Sequence, residues 1–182
     1  MIVRDARPGE LAEVGEIRVA AYLADGFLAP DSGYTPTLRA LGRDGDGAVL
    51  VAVDEPDGSR ILGTVMLQPW PHAGQAVSGR DEAEVRALAV RPEAQGRGTG
   101  SALLRAVIER AAQRGVRHLV LLTQPEMAAA QRLYQRAGFR RLPDRDWSPA
   151  PGVTLLAYGL ALTGDGRAGP ASGLGQARPA SG

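Results

Sequence analysis

The spacing of apolar residues along the chain predicts both strands and helices. Short apolar runs bounded by Gly, Pro, Asp or Ser are typical of strands, and apolar residues that recur every three or four positions are typical of amphipathic helices. The first helix follows this second spacing through Leu11, Val14, Ile17, Arg18 and Ala21. The predicted strands cover residues 2–6, 48–53, 61–67, 84–90, 118–123 and 153–162, and the predicted helices cover residues 11–22, 37–41, 102–114 and 126–136.

The order of these elements predicts the fold class. The turn-rich segment 55–60 joins two strands as an antiparallel hairpin, whereas later strands alternate with helices, as parallel strands do. We therefore expect one α+β domain over residues 1–162, with a sheet that is antiparallel at first and parallel around the later strands. Residues 163–182 are mostly Gly, Ala, Pro and Ser, so we expect a disordered tail without a catalytic part.

The composition narrows the class of protein. The chain has 182 residues, a formal net charge of +1, two histidines and no cysteine, so we expect no disulfide and no metal centre. All 21 basic residues are arginines spread along the chain, a pattern that does not predict nucleic-acid binding. The N-terminal segment has no apolar signal core, and no apolar run approaches the roughly 20 residues that cross a bilayer. We therefore expect a cytoplasmic protein without a membrane partner.

The strongest chemical signal is the segment VRALAVRPEAQGRGTGS at residues 85–101. It takes an apolar strand through Pro92 into three glycines, Gly96, Gly98 and Gly100, and then directly into a helix. Backbone N–H groups in the first turn of a helix lack internal partners and carry about +0.5 of a charge. Glycine lets an anion lie close to these groups. The segment therefore predicts a pyrophosphate site.

Two other phosphate-binding loops fit this segment less well. A Walker loop needs a lysine after its second glycine, and the chain has no lysine. A dinucleotide loop has the form G-x-G-x-x-G, with an acidic residue about 20 positions later. Here Ser101 stands at the third glycine position, and the next strand ends at Thr123 and Gln124 without a carboxylate.

Two motifs together resemble the GNAT superfamily of N-acyltransferases. Residues 95–100, QGRGTG, match the family's Q/R-x-x-G-x-G/A segment, and residues 130–139, AQRLYQRAGF, resemble its A-x-x-L-Y-x-x-x-G-F helix. The motifs stand in the family's order, with one helix and one strand between them. The resemblance implies the GNAT fold: a central mixed sheet flanked by helices, in which the strand before the loop bends away from its parallel neighbour.

The resemblance also implies a function and a donor. It implies transfer of the acetyl group of acetyl-CoA directly to an amine in a ternary complex, without a covalent intermediate. The alternative is an acyl-CoA-binding sensor or regulatory module with a vestigial active site, because the same fold also occurs without catalysis. Such domains often form homodimers. The sequence leaves the acceptor amine and the acyl length open.

The donor site follows from the same resemblance, residue by residue. The backbone of Leu88 and Val90 would pair with the pantetheine arm, and the Leu88 N–H would stabilise the oxyanion of the tetrahedral intermediate. Where this chain has Met127, the family often has an asparagine that bonds to pantetheine, so this anchor is missing or replaced by the backbone or Gln124. The residues expected to contact the cofactor are Leu88, Val90, Gln95, Gly96, Arg97, Gly98, Thr99, Gly100, Ser101 and Met127.

Glu84 and Tyr134 are the candidate catalytic side chains, with the Leu88 N–H beside them. Glu84 matches a glutamate that family members often use as general base. Even spacing along a strand predicts that Glu84 shares a face with Leu88, roughly 13 Å away, so that a water relay is needed unless a bulge shortens the distance. Glu82 is the reserve candidate. Tyr134 matches the tyrosine that protonates the departing thiolate, and a phenol with a pKa near 10 suits that role.

The acceptor side is less defined by the sequence. Carboxylates beside aromatic rings suit a cationic amine, and two regions of the chain offer both. These candidates are Tyr22, Phe27, Asp31 and Tyr34 in the first region, and Asp144, Asp146 and Trp147 in the second. We expect Arg140 and Arg141 to face solvent rather than a CoA phosphate, and His72 and His118 to have no ligand set around them.

Overall fold

The computed structural model describes residues 1–54 and 60–162, which form a mixed sheet flanked by helices. The strands are β1 (Ile2–Asp5), β2 (Ala48–Val53), β3 (Ile61–Pro69), β4 (Glu82–Val90), β5 (His118–Thr123), β6 (Arg140–Arg141), β7 (Trp147–Ala150) and β8 (Val153–Ala161). The helices are α1 (Leu11–Ala24), α2 (Thr35–Ala40), α3 (Thr99–Gln113) and α4 (Ala128–Arg136).

The sheet has the strand order β1-β2-β3-β4-β5-β8-β6, with β7 paired to β8. Among these strands only β4 and β5 pair in parallel. In the sequence, the glycine loop and α3 connect these two strands. The predicted α+β class, antiparallel at first and parallel at the loop, is confirmed.

The predicted elements occur with different ends. The second helix begins two residues earlier, at Thr35, and β4 begins at Glu82 rather than at residue 84. The strands β6 and β7 were not predicted, since β6 is two residues long and β7 is exposed along its whole length and contains Pro149. The predicted turn at residues 55–59 and the predicted tail at 163–182 lie outside the described residues.

Helices cover the two faces of the sheet in separate layers. Alternate residues of β2 point to opposite faces, as the two-residue period of a strand requires. Leu50 packs with Leu103 and Val107 of α3, whereas Val51 packs with Val14 and Ile17 of α1. The helices α3 and α4 therefore lie on one face, and α1 lies on the other. The centre of each layer is apolar and inaccessible to solvent: Val14, Val51, Leu103 and Val107 are fully buried.

A β-bulge interrupts β4 just before the glycine loop. In the antiparallel pair with β3, Arg86 lies opposite Met66 and Ala89 lies opposite Thr64, so Ala87 and Leu88 together oppose the single residue Val65. Ala87 has φ +49°, a left-handed conformation that is unfavourable for any residue with a side chain. Such bulges bend a strand and re-aim the side chains that follow.

The bulge contradicts the prediction that Glu84 and Leu88 share a face. Glu84 lies opposite Gln68 in the register and on the same face as Arg86, whose partner Met66 packs against α1. Leu88 packs into the cluster formed with α3 and α4. The prediction was wrong because the extra residue at Ala87–Leu88 reverses the alternation of β4. Glu84 and Leu88 therefore point to opposite faces of the sheet.

The same segment of β4 separates from β5. The parallel pairing covers only Glu82–Glu84 against His118–Val120, whereas β5 remains paired with β8 as far as Thr123. Beyond Glu84 the edge of β4 that faces β5 has no strand partner. This gap leads directly to the glycine loop, which is the arrangement that the resemblance implied.

We expect substitutions at Ala87 to separate backbone strain from packing. Ala87→Gly removes the steric conflict at φ +49° and changes the free energy of unfolding by less than about 1 kcal/mol in either direction. Ala87→Val places a β-branched side chain in the same conformation and lowers stability by about 2 kcal/mol or more. Urea denaturation of both variants measures this. Equal stability of the two variants would show that the bulge relaxes without cost.

Candidate active site

The glycine loop presents unpaired backbone N–H groups at the start of α3. The chain leaves β4 through a single 3-10 turn, Pro92–Ala94, and both Gly96 and Gly98 have positive φ, at 74° and 81°. The helical hydrogen bond from Ala102 to the Gly98 carbonyl is 2.9 Å long. The N–H groups of the residues between them have no acceptor inside the helix. Gly96, Arg97, Gly98 and Ser101 are exposed, so this donor cluster faces an open surface.

Two side chains hold this loop in place. The hydroxyl of the buried Thr99 donates to the Ala94 carbonyl at 3.1 Å, which closes the loop on itself. The amide of Gln95 lies 3.4 Å from the carboxylate of Asp25, after α1, and 3.5 Å from the Val90 carbonyl. Gln95 and Thr99 were predicted to contact the cofactor; their side chains instead have partners within the protein. The Thr99 backbone remains part of the donor cluster, whereas the Gln95 N–H donates to the Pro92 carbonyl at 3.3 Å.

The loop, the end of β4 and α4 meet at Gly100. A side chain at this position would lie 3.4 Å from Leu133 and 3.8 Å from Val90, both ordinary contact distances. Leu133 precedes Tyr134 on α4. The structure therefore brings Val90, the glycine loop and the Leu-Tyr motif together, although Val90 and Tyr134 are 44 residues apart in the sequence.

Glu84 is a buried carboxylate, and it is the last residue of β4 that pairs with β5. Its side chain accepts a hydrogen bond from the Gly74 N–H at 2.9 Å and lies 3.7 Å from the Arg86 guanidinium, and the residue is only 5% exposed. Burial raises the pKa of Glu84 above the ordinary carboxyl value, because the loss of hydration outweighs Arg86 and the Gly74 hydrogen bond. A carboxylate of raised basicity beside the gap is suited to accept a proton.

Glu82 has a different environment. Its carboxylate accepts hydrogen bonds from Arg145 at 2.9 Å and from the Ser78 N–H at 2.8 Å, and it contacts His118 Nδ1 at 3.0 Å. Burial raises its pKa, but these hydrogen bonds outweigh burial and the pKa of Glu82 lies below the ordinary value. Glu82 therefore joins the loop before β4 to the segment before β7, and its low basicity favours Glu84 as the base.

Tyr134 lies on the opposite face of the sheet from Glu84, in the layer formed with α3 and α4. It is 7% exposed, and its ring packs against Phe139 and Tyr158 at centroid distances of 6.0 and 6.4 Å. Burial raises the pKa of Tyr134 well above the usual phenol value, and the neighbouring phenol of Tyr22 raises it further. The Tyr134 hydroxyl therefore keeps its proton at neutral pH.

Two predicted acceptor candidates, Tyr22 and Tyr34, belong to a cluster on the α1 side whose two arginines the sequence did not single out. Arg18 of α1 is fully buried and its electrostatic neighbours are Tyr22, Tyr34 and Arg86. Burial lowers the pKa of Arg18 to about 10 and raises that of Tyr22 to about 12. The only signal in the sequence was that Arg18 occupies an apolar position of the helical spacing. We refer to Arg18, Tyr22, Tyr34 and Arg86 as the acceptor-side cluster.

The junction between β5 and α4 uses side-chain amides in place of the expected asparagine. Met127 is nearly buried and its sulfur accepts a hydrogen bond from the Thr123 hydroxyl at 3.5 Å. The Gln124 amide donates to the Phe27 carbonyl at 3.1 Å, so it holds the segment after α1. The Gln131 amide donates to the carbonyls of Gln124 and Pro125. Any pantetheine contact here therefore falls to the backbone.

In the second predicted acceptor region, the Asp146 carboxylate has partners of its own. Asp146 accepts hydrogen bonds from Arg141 and from the Ala157 N–H, each at 2.8 Å, so its carboxylate is occupied. Arg141 also lies over the Tyr158 ring, which contradicts the expectation that it faces solvent. Arg140 is exposed, as are Asp144, Trp147 and His72, and His118 pairs with Glu82. In the first region Asp31 and Tyr34 are exposed, and Phe27 is partly buried.

Residues 1–54 and 60–162 hold no group of three or more His, Cys, Asp or Glu side chains that could bind a metal ion. Within the same ranges, no helix is both long and apolar enough to span a bilayer.

Comparison with known protein families identifies the class of this fold and loop. The acetyltransferase (GNAT) family matches residues 13–139, a segment that includes α1, the glycine loop and α4. The chain therefore belongs to the GNAT acetyltransferase family.

Solved structures agree with the fold. A GNAT acetyltransferase from Desulfovibrio desulfuricans aligns with a TM-score of 0.68 at 20% identity, over 87% of this chain and 97% of that one. A phosphinothricin acetyltransferase from Sinorhizobium meliloti, solved with acetyl-CoA, aligns with a TM-score of 0.65 at 22% identity, over 88% of this chain and 87% of that one. At such identities the likeness shows the fold alone.

Curated relatives match only part of the chain. The mycothiol acetyltransferase of Kocuria rhizophila is 38% identical over 92 residues, which are 50% of this chain and 29% of the relative. That of Arthrobacter sp. is 42% identical over 93 residues, 50% of this chain and 27% of the relative. The match thus spans less than a third of these relatives, and their acceptor is not carried over.

We expect a matched pair of substitutions at Gly98 to test the anion-binding role of the loop. Asn and Asp both tolerate positive φ, and a side chain at residue 98 meets no atom within 4 Å, so both variants fold. Gly98→Asp places a negative charge beside the N–H cluster and weakens acetyl-CoA binding at least about tenfold, whereas Gly98→Asn changes it by less than about threefold. Calorimetric titration measures both. Equal affinities would contradict the assignment of the loop.

Proposed function

We propose that this chain is an N-acetyltransferase that transfers the acetyl group of acetyl-CoA directly to an amine in a ternary complex. The observation that carries the proposal is the gap between β4 and β5 together with two buried groups on opposite faces of the sheet. These groups are Glu84, a carboxylate of raised pKa, and Tyr134, a protonated phenol. A donor-binding loop alone would serve a sensor equally well. An acid and a base on opposite faces of one sheet favour an enzyme.

The donor is held mainly by backbone groups. The N–H cluster at residues 98–101 receives the pyrophosphate, and the unpaired edge of β4 after Glu84 receives the pantetheine arm. Because backbone N–H groups lie in the plane of a sheet, the reversal of side-chain faces at the bulge leaves this edge available. The Leu88 N–H then donates to the carbonyl oxygen of the acetyl group, and one such donor is worth about 3 kcal/mol in the transition state.

Glu84 acts as the general base on the acceptor side. Its side chain lies on the α1 face of the sheet, whereas Leu88 packs toward α3 and α4, so amine and thioester approach from different faces. The attacking amine must lose a proton as its nitrogen bonds to the acetyl carbon. A water relay carries that proton to Glu84, which the raised pKa makes a stronger base than an ordinary carboxylate.

Tyr134 acts as the general acid. When the tetrahedral intermediate collapses, the carbon–sulfur bond breaks and the electron pair leaves with sulfur. The Tyr134 hydroxyl protonates this thiolate and recovers its proton from solvent through the gap. A raised phenol pKa remains compatible with this step, because the same burial makes the developing thiolate more basic. The products are an amide and CoA with a free thiol.

The proposal is tested by release of free thiol from acetyl-CoA in the presence of a panel of primary amines. We expect turnover by the natural chain and a loss of about a hundredfold or more in kcat for Glu84→Gln, which keeps the hydrogen-bonding shape but accepts no proton. Gly98→Asn serves as the control, because it adds no charge and its expected effect on acetyl-CoA binding is less than about threefold. Acetyl-CoA binding without turnover of any amine would support the sensor.

The pH dependence of kcat provides a second signature of Glu84. The base works only as a carboxylate, so the rate falls as the pH falls through its pKa. Because burial raises that pKa, we expect the acid limb of the profile to lie above the ordinary carboxyl range. The limb disappears in Glu84→Gln. A limb that persists unchanged in this variant would assign it to another group.

Tyr134→Phe separates the acid role from packing. The ring contacts with Phe139 and Tyr158 remain in this variant, so stability changes by less than about 1 kcal/mol. We expect kcat to fall about tenfold or more, with a change in the KM for acetyl-CoA of less than about threefold. Steady-state kinetics measure both. An unchanged kcat would remove Tyr134 from the acid role.

A further inference from the structure

We propose that the acceptor is a small amino carboxylic acid whose carboxylate binds to Arg86, with the buried charge of Arg18 behind it. This inference rests on the proposed function and names the substrate class of the same site.

Arg18 is a buried cation whose hydrogen-bonding capacity is largely unused. It is 0% exposed, and its Nη1 donates to the Leu41 carbonyl at 2.7 Å. Its Nε and Nη2 are buried and have no hydrogen-bond partner among the described residues. A buried charge is normally paired, because burial without a partner is costly. The bond to Leu41 joins α1 to the end of α2, but it accounts for one nitrogen of three.

The neighbours of Arg18 leave its charge uncompensated. The groups that act on it are the phenols of Tyr22 and Tyr34, and the guanidinium of Arg86, which repels it. No carboxylate among the described residues forms an ion pair with Arg18. The positive potential of Arg18 therefore adds to that of Arg86.

Arg86 is the accessible member of this pair. Its Nη1 donates to the Gln68 side-chain oxygen at 2.7 Å, and its Nε lies 3.7 Å from Glu84, too far for a hydrogen bond. Its side chain is 22% exposed. A ligand on the α1 face of the sheet therefore reaches Arg86 first, while Arg18 acts through its charge at a distance.

The balance of charge favours a single negative charge on the group of the ligand that meets the arginines, and an amino acid in its reactive form, with a neutral amine, carries that charge. Arg18, Arg86 and Glu84 together carry one net positive charge when Glu84 is ionised. A carboxylate brings that sum to zero, whereas a doubly charged phosphate would reverse it beside Glu84. Arginine also binds carboxylates through two parallel hydrogen bonds, and these are stronger than bonds to neutral groups.

The spacing of Glu84 and Arg86 fits the two groups of an amino acid. The residues are two positions apart on β4 and share the α1 face, so their Cα atoms are about 7 Å apart. In an amino acid the amine and the carboxylate are only a few bonds apart. The amine can therefore reach Glu84 through a water while the carboxylate binds to Arg86.

The test compares matched acceptors: free amino acids, their carboxamides, and the corresponding amines without the carboxyl group. We expect kcat/KM for the amino acid to exceed that for the carboxamide at least about tenfold in the natural chain. Arg86→Met removes this preference, which is read as the ratio of kcat/KM for the amino acid to that for its carboxamide, because loss of the Arg86 charge beside Glu84 changes the rates with both acceptors. Arg43→Met, an exposed arginine between α2 and β2, is the control and keeps the preference.

Arg18→Met distinguishes a charge effect from a structural one. If Arg18 only joins α1 to Leu41, this variant lowers the melting temperature and leaves the preference for carboxylates unchanged, which would overturn its part in the proposal. We expect the preference to fall instead. The comparison uses the ratio of two acceptors in one preparation, so a partial loss of folded protein cancels.

A binding measurement separates this inference from the proposed function. We expect N-acetylated amino acids, the products, to raise the melting temperature of the CoA-saturated chain, and Arg86→Met to abolish the increase. This increase without turnover of any amine would refute the enzyme and leave a carboxylate site. Turnover of amines without any preference for carboxylates would keep the enzyme and overturn this inference. Absence of both effects would overturn both.

Discussion

The rest of the site depends on the bulge at Ala87 and Leu88. One extra residue on β4 bends the strand, and the pairing of β4 with β5 ends at Glu84, just before this bend. The end of the pairing leaves an unpaired strand edge beside the glycine loop, and the bulge directs Glu84 and Leu88 to opposite faces of the sheet. The positive φ of Ala87 costs free energy, and the tight packing of the flanking layers holds it in place. Strain of this kind is typically found next to a functional site.

The gap places two electrostatic environments close together. On the α3 and α4 side, the buried Tyr134 packs against the rings of Phe139 and Tyr158. On the α1 side, Glu84, Arg86 and Arg18 keep charged groups within a largely buried layer. Burial raises the pKa of Glu84, lowers that of Arg18 and leaves two nitrogens of Arg18 without a partner among the described residues, because it removes water without supplying a full set of partners.

The outcome for individual residues shows which kinds of inference were sound. The loop, the parallel pair and the Leu-Tyr motif were predicted because each depends on a contiguous run of residues with a local conformational preference. The roles of Gln95, Asp146 and Arg141 were harder to predict, because their partners Asp25, Arg141 and Tyr158 come from other segments. The shared face of Glu84 and Leu88 failed for a related reason: an alternation argument assumes a regular strand, and no residue type at 87 or 88 indicates a bulge.

The sequence by itself determined the fold class, the order of the elements and the N–H cluster of the loop, since periodicity, glycine and helix geometry act over short distances along the chain. Only the tertiary structure decided which side chains meet. It buried Arg18, gave Glu84 its raised pKa and packed Tyr134 against Phe139 and Tyr158. Burial and electrostatic interaction depend on distance in space, and residues such as Arg18 and Arg86 are brought together only when α1 packs onto the sheet.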